Sequence, residues 1–142
     1  MTSSRQDFFF YGTLMDEDVL TRVIGVAVRV LVCEPATIDD YERFFVTGET
    51  YPVLLPRPGA RVEGIVVRGL DARQADRLVR YEADFYDLIE VSVSTTDGIA
   101  QAAMTFLPQS GVRASRRIWR YDEWERRHKR QFLRRIDRWF DG

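Results

Sequence analysis

The alternation of apolar and polar residues near the start of the chain predicts a buried strand, a loop and a helix. Residues 8–14 (FFFYGTL) are an aromatic run that ends in a glycine turn, and bulky aromatic side chains suit the pleated surface of a buried strand. Asp16 is placed to cap the helix that follows, and Gly25 is placed to end it. The apolar face of this helix consists of Val19, Leu20, Val23 and Ile24.

The loop at residues 11–14 has two interpretations. Free N–H groups at a helix N-terminus can bind a carboxylate or another anion, which favours a ligand site beside the loop. An ordinary connection between a strand and a helix produces the same pattern, and this stretch alone does not separate the two.

Further extended segments are predicted at residues 27–38, 41–46, 53–55 and 62–67. The first is rich in valine and breaks at Pro35, where an edge or a bulge is expected. Residues 56–59 (PRPG) predict a turn before the last segment, which Gly64 interrupts. A glycine inside a strand is typical of a bulge or of the close approach of another group.

The second half of the chain begins with a β-hairpin and ends with a helix. Strands are predicted at residues 86–95 and 99–107, joined through Asp97-Gly98, and residues 108–114 predict a loop. Residues 122–140 predict one amphipathic helix, whose apolar stripe contains Trp124, His128, Phe132, Ile136 and Trp139 or Phe140. His128 on that stripe is interpreted as a packing residue, with a catalytic role as the alternative.

A carboxylate interrupts the apolar face of the helix predicted at residues 71–83. Asp71 and Gln74 resemble a capping box. Ala75, Leu78 and Val79 follow helical spacing, and the next position on that face is Glu82. An inward carboxylate is costly unless it is paired or neutralised. Glu82 is therefore either a structural group bonded to an arginine or to backbone, or a pocket residue with a raised pKa.

Composition fits one domain spanning residues 1–142, with 45% hydrophobic and 30% charged residues. The net charge of −1 conceals an asymmetry, because residues 113–142 hold 11 basic and 5 acidic side chains, leaving 10 basic and 17 acidic elsewhere. Such a basic segment is more typical of a solvated helix face docked on an acidic body than of nucleic-acid binding, so no nucleic-acid partner is expected.

No apolar run reaches the length of a membrane span, and the polar start lacks the apolar centre of a signal peptide. A cytoplasmic protein without a membrane partner is expected. Cys33 is the only cysteine and His128 the only histidine, which excludes an internal disulfide and a Cys/His metal cluster. A carboxylate-only metal site remains open, although no motif supports it.

Several short motifs, in their order and spacing, resemble the γ-glutamylcyclotransferase-like family, and most closely its γ-glutamylamine cyclotransferase and plant avirulence-induced branch. They are residues 9–14 (FFYGTL), residues 51–54 (YPVL), residues 62–64 (VEG), and Glu82 followed by Tyr86 before a valine-rich strand. The resemblance implies an α+β fold with a small mixed β-barrel flanked by helices. It also implies one pocket, formed by the glycine loop and the glutamate.

The resemblance further implies release of 5-oxoproline from a γ-glutamyl substrate without a cofactor. Glu82 is then the expected catalytic group, since one carboxylate with a raised pKa can first accept and then return a proton. The residues expected to bind substrate are Tyr11, Gly12, Thr13, Leu14, Tyr51 and Tyr86. The three tyrosines could equally be core aromatics with satisfied hydroxyls.

Two positions depart from the family pattern, and other functions compete. Asp87 stands where relatives commonly carry a basic residue, and Thr13 stands where the γ-glutamyl-amino-acid branch has serine. The threonine keeps the hydroxyl, whereas the aspartate leaves the substrate preference open. The alternatives are a small-molecule carboxylate-binding protein that keeps the pocket without turnover, and a module that binds nucleic acid or an anionic surface through the basic C-terminal helix. The leaving amine and the oligomeric state do not follow from the sequence.

Overall fold

The structure of the protein is a computed structural model that describes residues 5–26, 31–82 and 86–140, except for the side chains of residues 139 and 140. The strands of this part are β1 (Gln6–Phe10), β2 (Val32–Val46), β3 (Pro52–Leu70), β4 (Tyr86–Thr95), β5 (Ala100–Pro108) and β6 (Ala114–Ile118). The helices are α1 (Glu17–Ile24), α2 (Ala72–Glu82), α3 (Tyr121–Arg127) and α4 (Lys129–Phe140), and a 3-10 turn covers Thr13–Met15.

The strands close into a small mixed barrel. They are hydrogen-bonded in the order β3, β1, β5, β4, β2, and β2 pairs with β3 to complete the ring, while β6 extends the sheet beyond β2. The pairing of β1 with β5 is parallel, with Phe8 opposite Met104, and the other pairings are antiparallel. The expected α+β barrel flanked by helices is confirmed.

The side chains of β1 pack in two hydrophobic cores because they alternate between the faces of the sheet. Phe8 and Phe10 belong to a cluster that includes Leu20 of α1, Leu78 of α2 and Ile136 of α4. Phe9 packs instead in a cluster made of barrel residues, among them Ile38, Val66 and Val93. The aromatic run therefore joins the layer beneath the helices to the interior of the barrel.

Strands β2 and β3 are longer than the sequence pattern predicts. The predicted break at Pro35 is wrong, since β2 continues through it to Val46 and Pro35 lies opposite Ile65. Residues 27–30 of the predicted first segment lie outside the described residues. The register shift falls instead at Asp40, whose φ is 67°.

The predicted turn at residues 56–59 lies within one continuous strand, β3, so the two predicted segments are not separate strands. Asp39 pairs with Arg61 and Tyr41 pairs with Pro56, which leaves residues 57–60 looped out opposite Asp40. The Gly59 N–H donates to the Asp40 carboxylate at 2.9 Å. The turn residues thus form a large irregular bulge within the strand.

The close approach expected at Gly64 is confirmed. A Cβ at this position would overlap the carbonyl oxygen of Phe10 and would lie 2.7 Å from the Phe9 ring. The hairpin between β4 and β5 is also confirmed, with Gly98 at a φ of 75°. The loop predicted at residues 108–114 is shorter, because β6 begins at Ala114 and pairs with β2.

The ends of α1 and α2 follow the predicted capping chemistry. The Asp16 carboxylate accepts from the N–H groups of Asp18 and Val19, each at 3.1 Å, and Gly25 ends α1 with a φ of 81°. Asp71 and Gln74 exchange reciprocal hydrogen bonds of 2.8 and 2.9 Å. These contacts confirm both caps.

The C-terminal segment differs from the prediction of one continuous helix. It breaks at His128 into α3 and α4, although the apolar residues Trp124, Phe132 and Ile136 are buried as predicted. His128 is half-buried at the junction, and the side chains of residues 139 and 140 lie outside the description.

Ion pairs join the basic C-terminal segment to the acidic body. Lys129 contacts Asp16 and Asp18, each at 2.9 Å, and the Arg22 guanidinium lies 2.7 Å from Asp137 of α4. The Lys129 contacts support the interpretation of the basic segment as a helix docked on an acidic body, whereas in the Arg22 pair the body supplies the cation. Among the described residues, no helix is long and apolar enough to cross a membrane.

Candidate active site

One cavity of about 280 Å³ lies where β1 ends and the 3-10 turn begins. Its lining combines backbone of the glycine loop with aromatic and charged side chains from α2, α4 and the hairpin between β2 and β3. The lining residues are Phe9, Phe10, Tyr11, Gly12, Thr13, Leu14, Glu49, Tyr51, Pro52, Tyr81, Glu82, Tyr86, Thr105, Phe106, Phe132 and Arg135. Every site residue expected from the sequence is therefore in one cavity.

The loop is shaped by a tight turn and by a glycine that allows close packing. The Met15 N–H donates to the Gly12 carbonyl at 3.0 Å, and the Asp16 N–H donates to the Thr13 carbonyl at the same distance. A Cβ on Gly12 would lie 2.9 Å from the Pro52 ring. Residues 12–14 thus lie at the start of a helical turn, where backbone N–H groups lack acceptors within the turn.

Glu82 is the last residue of α2, and it lines the cavity with the glycine loop. Burial raises the pKa of its carboxyl from 4.5 to about 8. No ion pair to Glu82 forms among residues 5–26, 31–82 and 86–140. Glu82 as a whole is half-buried.

The three expected tyrosines form walls of the cavity. The Tyr11 hydroxyl donates to the Phe106 carbonyl at 2.5 Å, and the Tyr86 hydroxyl donates to the Pro52 carbonyl at 2.9 Å. Burial, and secondarily the Glu82 carboxylate, raises the pKa of Tyr11 and of Tyr86. Burial, and to a lesser extent the negative charge of Glu49, raises the pKa of Tyr51. The hydroxyls therefore keep their protons, and those of Tyr11 and Tyr86 are committed to backbone acceptors.

Sequence reasoning missed Tyr81, which connects the glutamate helix to the loop. Its hydroxyl lies 2.9 Å from the Thr13 hydroxyl, and burial, then the Glu82 charge, raises its pKa. Helical spacing could have identified Tyr81 as an inward-facing residue, because it follows the buried Leu78 by three residues. Val79, assigned to that face from the sequence, is instead 43% exposed. The inward face of α2 therefore includes Tyr81 in place of Val79.

Two charged residues at the cavity were also missed. Glu49 lies in the hairpin between β2 and β3, and Arg135 lies on α4; their charged groups are 4.0 Å apart. Both are more exposed than the aromatic walls, with side-chain exposures of 35% and 48%. They therefore mark the mouth of the cavity. No spacing in the sequence relates two residues so far apart in the chain.

Two further groups fix the loop from outside the cavity. The Arg43 guanidinium donates to the Tyr11 carbonyl at 3.1 Å and to the Glu63 carbonyl at 3.3 Å. Asp16, which is 2% exposed, accepts from the Tyr121 hydroxyl at 3.0 Å in addition to its contact with Lys129. The loop is thus held by the barrel on one side and by the C-terminal helices on the other.

Other sequence candidates lie away from the cavity. Asp87 is exposed and accepts from the Gln109 side chain at 3.1 Å. His128 is not among the residues that line the cavity in the described part of the chain. Within the same residues, no group of three or more His, Cys, Asp or Glu side chains is arranged to hold a metal ion.

Comparison with known proteins identifies the family of the chain. A family model described as "Gamma-glutamyl cyclotransferase, AIG2-like" matches residues 8–126. The chain belongs to this family. AIG2-like protein D of Arabidopsis thaliana is 27% identical over 139 residues, which cover 94% of this chain and 88% of that protein. AIG2-like protein A of the same plant is 25% identical over 127 residues, covering 88% and 75%.

Solved structures share the fold. A solution structure of an Arabidopsis thaliana protein has a TM-score of 0.66 at 23% identity, covering 96% of this chain and 91% of its own. A structure of a γ-glutamyl cyclotransferase has a TM-score of 0.64 at 18% identity, covering 75% of this chain and 68% of its own. The resemblance found in the short motifs is confirmed at the level of family and fold.

Proposed function

We propose that the protein is a γ-glutamyl cyclotransferase that releases 5-oxoproline from γ-glutamyl amines or related γ-glutamyl compounds. The observation that supports this most strongly is that the Glu82 carboxyl, with a pKa of about 8, shares one cavity with residues 12–14 of the glycine loop. Membership of the γ-glutamyl cyclotransferase, AIG2-like family supports the same reaction.

The reaction is an intramolecular acyl transfer. The α-amine nitrogen of the substrate attacks its own γ-carbonyl carbon, so that a new C–N bond closes a five-membered ring. The bond from that carbon to the leaving amine then breaks. Starting from the neutral α-amine, the attacking nitrogen loses one proton and the leaving nitrogen gains one, so the products are 5-oxoproline and a free amine. The ammonium form of the substrate must first release one further proton. No oxidant, reductant or cofactor is needed for this balance.

Glu82 is the group proposed to move the proton. At neutral pH the substrate α-amine is an ammonium ion, which is not nucleophilic until a base removes a proton. With a pKa of about 8, the Glu82 carboxyl is mostly protonated at pH 7, and its ionised fraction is a stronger base than an ordinary glutamate. The protonated form that results from base action is a suitable acid for the leaving amine. One residue can therefore serve both steps in turn.

The loop and the tyrosines are proposed to hold the substrate. Backbone N–H groups of residues 12–14 would bind the α-carboxylate or the oxyanion that develops on the γ-carbonyl. Tyr11, Tyr51 and Tyr86 would enclose the substrate chain and keep it folded, which favours ring closure by bringing the amine close to the carbonyl. Tyr81 would position the loop through Thr13.

We also propose that residues 1–142 form a single domain. Phe8 of β1, Trp119 after β6 and Ile136 of α4 are fully buried in one cluster, so the two ends of the chain contribute to the same core. A single unfolding transition, seen with identical midpoints by fluorescence and by circular dichroism, is the expected result. Separate transitions would contradict a single domain.

The test of the proposed activity is a 5-oxoproline assay over a panel of γ-glutamyl amines and γ-glutamyl amino acids. Glu82→Gln should lower the rate by at least about a hundredfold, which is the size expected when a general base is removed. Glu90→Gln, an exposed glutamate on β4, is the matched control and should keep the wild-type rate. Absence of 5-oxoproline from the whole panel, or full activity of a folded Glu82→Gln variant, would refute the proposal. A ligand that raises the melting temperature but returns unchanged would favour a binding protein.

A further inference from the structure

The guanidinium of Arg43 contacts the main chain of the glycine loop from outside the cavity. Arg43 is in β2, and its Nη1 donates to the Tyr11 carbonyl at 3.1 Å and to the Glu63 carbonyl of β3 at 3.3 Å. The same nitrogen lies 3.8 Å from the sulfur of Met15, the last residue of the 3-10 turn. One cation therefore contacts both ends of the loop and joins it to the barrel.

The guanidinium also packs on a buried aromatic ring. Its Cζ lies 5.3 Å from the centre of the Trp119 ring, and Trp119 is fully buried. Two hydrogen bonds hold this tryptophan: its ring N–H donates to the Thr50 carbonyl at 2.9 Å, and its main-chain N–H donates to the Arg43 carbonyl at 3.1 Å. Because a guanidinium is attracted to an aromatic face, the ring fixes the position of the cation beside the loop.

The burial of Arg43 is unfavourable in itself. Its Nε–H is buried, and within the described ranges this group has no hydrogen-bond partner. Burial also lowers the pKa of the side chain, although a guanidinium keeps its charge at neutral pH. Buried polar groups are nearly always hydrogen-bonded, and an unpaired one destabilises the fold. A side chain that is unfavourable for stability is typical of a functional position.

The bond to the Tyr11 carbonyl determines where the next N–H group points. No cis peptide occurs among the described residues, so the C=O of Tyr11 and the N–H of Gly12 point in opposite directions in one planar group. The carbonyl faces Arg43, which is not among the residues that line the cavity in the described part of the chain, whereas Tyr11 and Gly12 line it. In the same part of the chain, no turn, loop or cap hydrogen bond begins at the Gly12 N–H. This N–H therefore points away from Arg43 and is left for a ligand.

We propose that Arg43 is a positioning residue, which directs the Gly12 N–H into the cavity and makes it a stronger hydrogen-bond donor. The inference rests on the proposed cyclotransferase function, in which N–H groups of residues 12–14 bind a carboxylate or the developing oxyanion. A cation bonded to the carbonyl polarises the peptide group, so its N–H donates more strongly. Because the donor is already oriented, the loop does not have to reorganise during the reaction. Arg43 itself neither contacts the substrate nor transfers a proton.

The test measures kcat/KM for 5-oxoproline release between pH 5 and pH 9, with a γ-glutamyl substrate on which the wild-type protein is active. Arg43→Met keeps the stem and removes the charge, and it should lower kcat/KM by about tenfold, less than the loss expected for a group that itself bonds the oxyanion. Arg43→Lys keeps the charge, but its ammonium ends one bond short of Nη1, so its kcat/KM should lie between those of the wild-type protein and Arg43→Met. Arg61→Met removes an arginine of β3 whose side chain is 66% exposed, and it should keep the wild-type value.

The shape of the pH profile separates positioning from a structural role. Burial raises the pKa of Glu82, so the profile reports whether this residue is still buried. If Arg43 acts on the loop alone, the profile of Arg43→Met keeps the wild-type pKa and only its height decreases. A pKa that moves toward the ordinary value of a carboxyl would show that the cavity has opened to water, and the inference would be wrong.

Other outcomes distinguish the role of Arg43 from the reaction itself. Wild-type kcat/KM in Arg43→Met, or an equal loss in Arg61→Met, would overturn the positioning role and leave the cyclotransferase function in place. If Arg43→Met does not fold, Arg43→Lys decides, and a wild-type value in that variant would overturn the inference. If the wild-type protein releases 5-oxoproline from none of the γ-glutamyl compounds, the proposed function and the positioning role both fail.

Discussion

The buried carboxyl of Glu82 predicts a pH dependence of stability that can be measured without a substrate. Burial raises its pKa from 4.5 to about 8, so the folded chain keeps a proton that the unfolded chain loses. The stability associated with this group is therefore fully present below about pH 4.5 and is lost as the pH rises through about 8. With about 1.4 kcal/mol per pKa unit, the loss is about 3 kcal/mol at pH 7 and about 5 kcal/mol at pH 9.

Glu82→Gln tests the predicted loss of free energy, because glutamine has nearly the same shape as glutamate and does not titrate. The free energy of unfolding of the variant minus that of the wild-type protein should increase by about 4 kcal/mol between pH 5 and pH 9. Urea unfolding of both proteins at pH 5, 7 and 9 measures it, and all other titrating groups cancel in the difference. A difference that stays constant across this range would show that Glu82 is well solvated or paired, and would refute the reasoning.

Three other substitutions test the packing around the loop. Gly64→Ala should destabilise the fold by at least about 2 kcal/mol, because the new Cβ overlaps the Phe10 carbonyl; an unchanged melting temperature would contradict this. Tyr81→Phe removes the contact with the Thr13 hydroxyl. It should lower the free energy of unfolding in urea by about 1 kcal/mol and raise KM more than it lowers kcat. An unaltered KM would count against a positioning role. Asp16→Ala removes the cap of α1 and the buried partner of the C-terminal helices. It should lower the free energy of unfolding by about 2 kcal/mol. A change below about 0.5 kcal/mol would contradict a stabilising role for these Asp16 contacts.

Local chemistry explains why some parts of the fold could be predicted from the sequence. The caps at Asp16 and Asp71 and the turn at Gly98 depend on residues a few positions apart, so short patterns are sufficient to identify them. Glu82 could be predicted as a candidate site residue because a carboxylate at this position interrupts the apolar face of its helix. Such a conflict is typical of a functional residue.

Elements that depend on distant pairing could not be predicted in this way. Residues 114–118 (ASRRI) lack apolar alternation and form β6 because β2 offers an unpaired edge. The helix break at His128 is hidden because the apolar spacing continues across it. Arg135 reaches the mouth of the cavity only because α4 docks on the body, where Phe132 and Ile136 are buried and Lys129 contacts its carboxylate partners. These features follow from tertiary contacts rather than from local propensity.

The measurement that tests the central claim most directly is the product analysis of one γ-glutamyl substrate incubated with the purified protein. If Glu82 and the glycine loop carry out cyclisation, 5-oxoproline and the free amine should appear in a one-to-one ratio, and both should disappear with Glu82→Gln while Glu90→Gln behaves as the wild-type protein. Release of free glutamate in place of 5-oxoproline would show hydrolysis by water. That result, or equal product formation by a folded Glu82→Gln variant, would contradict the account.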